Sequence, residues 1–302
     1  MPPRLRLNFD ISGRYRKIAR ILSQKAHNIM THGFSSYLDH FGFKQRPFSL
    51  TPDPEFLFWS DATRGAYAML QYGLSTRAPI TLLTGEIGAG KTVLLQHFIQ
   101  DADDDDSLSI ALVTNTRPNT REILQWLLPE LTQSDLSDES KFLKVQEFLI
   151  QEFNEGRRVL LVIDEAQNLS LEALEELRML TNINLGKEEV LQLFLVGQPE
   201  LRDHVRRKEL VQFAQRVAAN YHLPYMQPQT VLKYISHRLK VAGGKPNIFS
   251  KQAALLIHEA TGGVPRLINQ LCDMSLTYAF AQEDQVVKRV TVQSVLDDGI
   301  FF

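Results

Sequence analysis

"TGEIGAGKT", residues 84–92, is the stretch on which the fold turns. An apolar, β-branched run, "APITLLTG" (78–85), leads into it, and an amphipathic run, "TVLLQHFIQ" (92–100), follows. Gly85, Gly90, Lys91 and Thr92 satisfy the spacing G-x4-G-K-S/T. Glycines let a backbone wrap closely around an anion with its N–H groups turned inward. The following helix aims the positive end of its dipole at the same place. Gly85, Glu86, Ile87, Gly88, Ala89, Gly90, Lys91 and Thr92 are therefore the expected cradle for the phosphates of ATP. Lys91 would reach the β- and γ-phosphates and the Thr92 hydroxyl would ligate Mg²⁺.

Working outward, "RRVLLVIDEAQNL" (157–169) is an apolar run ending in Asp164 and Glu165. At the carboxyl end of a parallel strand such residues face the ligand crevice. Asp164 suits Mg²⁺, directly or through water. Glu165 suits the activation of a water for attack on the γ-phosphate. Three more positions read as γ-phosphate sensors. Gln198 follows the apolar run "VLQLFLVG" (190–197), where a plain turn residue is the competing reading. Arg216, in "FAQRVAANYHL" (213–223), ends a helix just before the last strand; a surface salt bridge competes there. Arg266 follows Pro265 in "GGVPRLINQ" (262–270), which suits the first turn of a helix. An arginine there opposes the helix dipole, so nucleotide contact would supply a reason for it.

The pattern around these motifs alternates. Strands are predicted at 80–84, 109–115, 159–163, 191–196 and 220–223, separated by helical patterns such as Leu171, Leu174, Leu177 and Leu180. Alternation of this kind predicts an α/β fold, a parallel sheet covered on both faces. After "LPYMQPQ" (223–229) only helices are predicted. The expected domains are an ATPase core at 35–226 and a helical lid at 227–302. Residues 1–34 are expected to stand apart from both, as a tail, a membrane-surface helix or a stretch upstream of a start at Met30. The first thirty residues carry seven Lys or Arg against one Asp and lack the apolar core of a signal peptide.

Composition excludes several classes. A net charge of −2 over 302 residues gives no general attraction to nucleic acid or acidic lipid. A single cysteine, Cys272, forbids an internal disulfide and suits a reducing compartment. The run "DADDDD" (101–106) reads as a solvated loop, because consecutive carboxylates repel and point in different directions.

Longer stretches carry a family resemblance. "YLDHFGFKQRPFSLTPDPEFLFWS" (37–60), the glycine loop, "VIDEAQNLSLEALEELRMLTNI" (162–183), "FLVGQPEL" (194–201), "QRVAANYHLPYM" (215–226) and "HRLKVAGG" (237–244) resemble the general secretion pathway protein A (ExeA- and MshM-like) ATPases. That group is similar to AAA+ P-loop NTPases. The resemblance implies a five-stranded core, a C-terminal helical lid and nucleotide between them. It further implies that Gln198 is the sensor on the fourth core strand, that Arg216 is a finger reaching a neighbouring subunit, and that Arg266 is the lid sensor. By the same resemblance the chain is expected to be a cytoplasmic ATPase, peripheral to the inner membrane, that works as a homo-oligomer. It would assist a bacterial secretion, pilus or exopolysaccharide system through an envelope-assembly protein. Longer members carry a membrane segment and a peptidoglycan-binding module. No such module is read in these 302 residues, so direct peptidoglycan binding is not expected. The alternative is a DNA-transaction ATPase of the transposition-helper type; it would need a phosphate-contacting basic surface, for which "RDHVRRKEL" (202–210) and "KYISHRLK" (233–240) are small candidates.

Overall fold

The structure, a computed structural model, describes residues 35–103, 105–114, 138–186, 188–299 and 301. The whole leader, 1–34, lies outside them, as does Asn115 at the end of the second predicted strand. The described chain divides into two compact units. One, the sheet unit, comprises Thr51–Met226 and Gly262–Leu267; the other, the helical unit, comprises residues 35–50, Gln227–Thr261 and the chain from Ile268 onward.

In the sheet unit five parallel strands lie in the order β2-β3-β6-β1-β7. They are β1 (Ile80–Gly85), β2 (Leu108–Val113), β3 (Arg158–Ile163), β6 (Leu191–Gly197) and β7 (Val217–Leu223). Between β3 and β6 a small antiparallel pair, β4 (Asn184–Leu185) and β5 (Glu188–Glu189), stands off the main sheet. Helices connect the strands: α2 (Asp61–Ser75) precedes β1, α3 (Lys91–Ala102) follows it, and α4 (Asp138–Asn154) precedes β3. Beyond β3 come α5 (Leu171–Leu180), then α6 (Pro199–Val205) and α7 (Val211–Ala214) between β6 and β7.

Strand periodicity explains why both faces are covered. Leu161 and Ile163 of β3 and Leu193 and Leu195 of β6 join a core with Leu174 and Leu177 of α5. Their alternates, Leu160, Val162, Phe194 and Val196, join the opposite core with Leu70 of α2 and Leu94, Leu95 and Phe98 of α3. A period of two with both phases apolar is what a sheet buried on both sides requires. Register then sets the site. Thr84 of β1 pairs with Gly197 of β6, and Ile163 of β3 pairs with Leu195. Gly85, Asp164 and Gln198 thus leave the sheet along one edge, at the carboxyl ends of adjacent strands.

The helical unit contains α1 (Ser35–Phe41), α8 (Pro228–Val241), α9 (Lys251–Thr261), most of α10 (Pro265–Ala281) and α11 (Arg289–Asp297). Residues 35–50, expected with the core, pack here instead. Buried Arg238 of α8 explains this: its guanidinium donates to the carbonyls of Pro47 (2.5 Å) and Ser49 (3.3 Å) and to the Tyr234 hydroxyl (3.1 Å). Phe48, 1% exposed, meets Phe249 edge-on at 5.8 Å. Conversely Gly262–Leu267, expected in the lid, belongs to the sheet unit, where the Met226 N–H donates to the Gly263 carbonyl at 3.0 Å. Among the described residues no helix is long and apolar enough to cross a membrane, and no cluster of three or more His, Cys, Asp or Glu could hold a metal. In the acidic run, expected as a loop throughout, Asp101 and Ala102 instead end α3; Asp101 accepts from the Tyr67 hydroxyl of α2, while Asp105 accepts from Ser107 in the turn that follows.

Candidate active site

The loop between β1 and α3 brings the first expected group together. Gly88 and Gly90 hold φ of +76° and +96°, which a side chain would strain. Gly88 also lies against the start of α10: an added Cβ would come within 2.9 Å of the Arg266 Cβ and 3.2 Å of Val264. Lys91, only 6% exposed, donates through Nζ to the carbonyls of Gly85 (2.6 Å) and Glu86 (3.0 Å). Burial pulls its ammonium below the usual lysine range, against the opposing pull of Glu165, Asp164, Glu86 and Glu200. Ile87 stands 60% exposed at the loop tip, and Ala89 is buried.

The second group follows β3. The Thr92 hydroxyl donates to Asp164 Oδ2 at 2.8 Å, joining the first turn of α3 to the end of β3. Asp164 is 4% exposed, and burial pushes its carboxyl above the usual range despite hydrogen bonds from Thr92 and the Glu165 N–H. Glu165 takes φ +56° and ψ +35°, a left-handed conformation that costs a non-glycine residue about 1–2 kcal/mol. Strain of this kind concentrates at functional sites. It turns the chain sharply, so that Asp164 and Glu165 both stay at the strand end.

A third group was only half anticipated. Gln198 Nε2 donates to Glu165 Oε2 at 3.3 Å, so the expected sensor does meet the expected base. Gln167, which sequence reasoning passed over, donates to the same oxygen at 2.6 Å and accepts from the Gln198 backbone N–H at 3.0 Å. A glutamine two residues beyond a strand-end carboxylate is a weak signal, since only the turn at Glu165 brings it back.

The two arginines lie apart in their local settings. Arg266, exposed at the start of α10, sits over the glycine loop through its Cβ. Arg216, between α7 and β7, donates to the Thr181 carbonyl at 3.0 Å and draws down the carboxyl of Glu189, which burial otherwise raises.

The cradle fits a phosphate chain with a hard cation. A buried ammonium and a buried carboxyl, each held back from its charged form by burial, are matched by a bound anion and a bound cation respectively. The Thr92 hydroxyl and Asp164 carboxylate supply the oxygen ligands that Mg²⁺ prefers.

Fold and site together have the form of a P-loop nucleotide-binding domain, and residues 74–205 match the model of an AAA domain. The chain is a relative of the general secretion pathway protein A of Aeromonas hydrophila, 37% identical over 249 residues. That match takes in 82% of this chain and 45% of the relative, so the chain spans less than half of the relative's length. Among solved structures it is similar in fold to the ORC2 protein of Aeropyrum pernix, with TM-score 0.62, 18% identity, and 85% of this chain and 72% of that one covered. Cdc6p from Pyrobaculum aerophilum is similar at TM-score 0.59 and 15% identity, covering 83% and 68%.

Proposed function

We propose that this chain binds ATP with Mg²⁺ and hydrolyses it in an oligomer, and that turnover assists the assembly or regulation of a bacterial envelope system. The observation that carries the reading is the 2.8 Å bond from Thr92 to Asp164 beside buried Lys91. In this reading Gly85–Thr92 cradle the phosphates, Lys91 neutralises them, and Thr92 and Asp164 hold Mg²⁺. The bound cation would offset charge on the phosphate oxygens. Glu165 takes the proton from the attacking water, and Gln198 orients it. Arg266 contacts the nucleotide from the start of α10, and Arg216 serves the site of a neighbouring copy.

The envelope role rests on the likeness to general secretion pathway protein A, together with a reading in which the chain is cytoplasmic or peripheral at the inner membrane and acts through an envelope-assembly protein. The test has two arms. Turnover is measured on the purified chain with and without Mg²⁺. Export of secreted protein, pili or polysaccharide is then measured in cells whose own copy is replaced by Lys91→Ala. Mg²⁺-dependent turnover with an export defect supports the reading. Normal export, together with salt-dependent DNA binding by the purified chain, would favour the DNA-transaction alternative instead.

A further inference from the structure

The proposed water-activating carboxylate is not held by its backbone alone. Two side-chain amides converge on one of its oxygens: Gln167 Nε2 at 2.6 Å and Gln198 Nε2 at 3.3 Å. The other end of the Gln167 amide, Oε1, accepts the N–H of Gln198 at 3.0 Å. One side chain therefore spans from the end of β3 to the end of β6, both its donor and its acceptor used. The room for that span comes from Gly197. A Cβ there would meet Gln167 Oε1 at 2.9 Å, the Gln167 N at 3.2 Å and Leu201 Cδ2 at 2.9 Å. Gly197 does not have positive φ, so it is the close approach of Gln167 and Leu201 that crowds out a side chain.

An untethered glutamate on a tight turn has several rotamers within reach, and most would point its carboxylate away from a water in line with a bound phosphate. Misplacing a catalytic group by about 1 Å costs on the order of 10²-fold in rate. We propose that Gln167 is a positioning residue for water activation: its two-ended amide ties the Glu165 carboxylate to the loop bearing Gln198, so that base and sensor keep one geometry. This rests on the reading of Glu165 as the base, and predicts a role for Gln167 that neither its position in the chain nor nucleotide contact would require.

The test uses the full chain carrying Gln167→Met, which removes both arms at similar size, and Gln167→Glu, which keeps the acceptor for Gln198 but sets a carboxylate against Glu165. Three quantities are read: affinity for a fluorescent ATP analogue, single-turnover hydrolysis, and hydrogen exchange of the Gln198 amide in the nucleotide-free chain. Both variants are expected to bind the analogue within about threefold of the parent, and to lose on the order of 10²-fold in the hydrolysis step. Gln198 exchange should quicken in Gln167→Met and stay protected in Gln167→Glu. In a Glu165→Gln background, Gln167→Met should add no further loss, because it acts through Glu165. Parental hydrolysis rates in both Gln167 variants, with Glu165→Gln inactive, would overturn the inference and leave the proposed function standing. A further multiplied loss in the double variant would also overturn it, because Gln167 would then act independently of Glu165. Parental turnover in Glu165→Gln itself would instead overturn the reading of the site on which the inference depends.

Discussion

Lys91 and Arg238 are both cations at 6% exposure, one in the sheet unit and one in the helical unit. Arg238 is spent on scaffolding. Its guanidinium bonds two carbonyls and a phenol, it lies 5.8 Å from the centre of the Tyr234 ring, and that phenol passes the network on to Asn269 at 2.8 Å. Lys91 touches two carbonyls, yet burial still pulls its ammonium below the usual range, and foremost among the carboxylates that pull it back are Glu165 and Asp164 of the expected water and metal sites. Burial of a charge is thus no signature of function by itself. What separates the two is whether the surroundings complete the charge or leave it matched to something that must bind.

The largest effect expected from breaking this contrast is in trans. Arg216→Ala should bind ATP nearly as the parent does, yet lose on the order of 10³-fold in turnover, as for a finger acting on the transition state. Mixing inactive Arg216→Ala with inactive Lys91→Ala chains should restore part of the activity, because some interfaces then pair an intact loop with an intact finger. A dead mixture would remove Arg216 from that role. Next, Lys91→Ala should weaken nucleotide binding on the order of 10²-fold or more, measured by titration of a fluorescent analogue, since a buried phosphate charge is left unmatched.

Arg238→Met should act on stability instead. Losing charged hydrogen bonds while leaving buried partners should cost about 2–4 kcal/mol in urea denaturation. Unchanged stability would mean that the turn at 47–50 is held without it. The smallest effect concerns Asp164. Its folded carboxyl is raised by burial, so ionising it costs the folded chain. That cost is absent below the ordinary carboxylate range, grows as pH rises through that range to the raised value, and is full above it. Asp164→Asn should therefore stabilise the nucleotide-free chain at neutral pH, with the gain vanishing on acidification. A gain that widens toward acid would contradict the sign.

The sheet was legible because burial on both faces leaves near-continuous apolar runs. Four of the five predicted strands begin within one residue of the observed ones. The fifth begins at Val217 rather than 220, because Ala218 and Ala219 carry little apolar signal. The pair β4–β5 was missed because its four residues, Asn184, Leu185, Glu188 and Glu189, are mostly polar and too few to show a period. Two features were out of reach in principle. The packing of residues 35–50 with helices nearly two hundred positions later depends on Arg238 reaching main-chain carbonyls, which no local pattern announces. The role inferred for Gln167 depends on a left-handed turn at Glu165, and a glutamate gives no warning of positive φ. Glycine spacing and strand-end carboxylates were readable because the chemistry of phosphate and Mg²⁺ restricts both residue type and distance along the chain.

The most direct test of the central claim compares Glu165→Gln with the parent chain in two assays, affinity for ATP with Mg²⁺ and single-turnover hydrolysis. The amide keeps size and position but cannot accept the water's proton. Affinity should stay within about threefold, while hydrolysis should fall on the order of 10²- to 10⁴-fold. Hydrolysis at the parental rate would contradict the account, as would loss of nucleotide binding along with turnover.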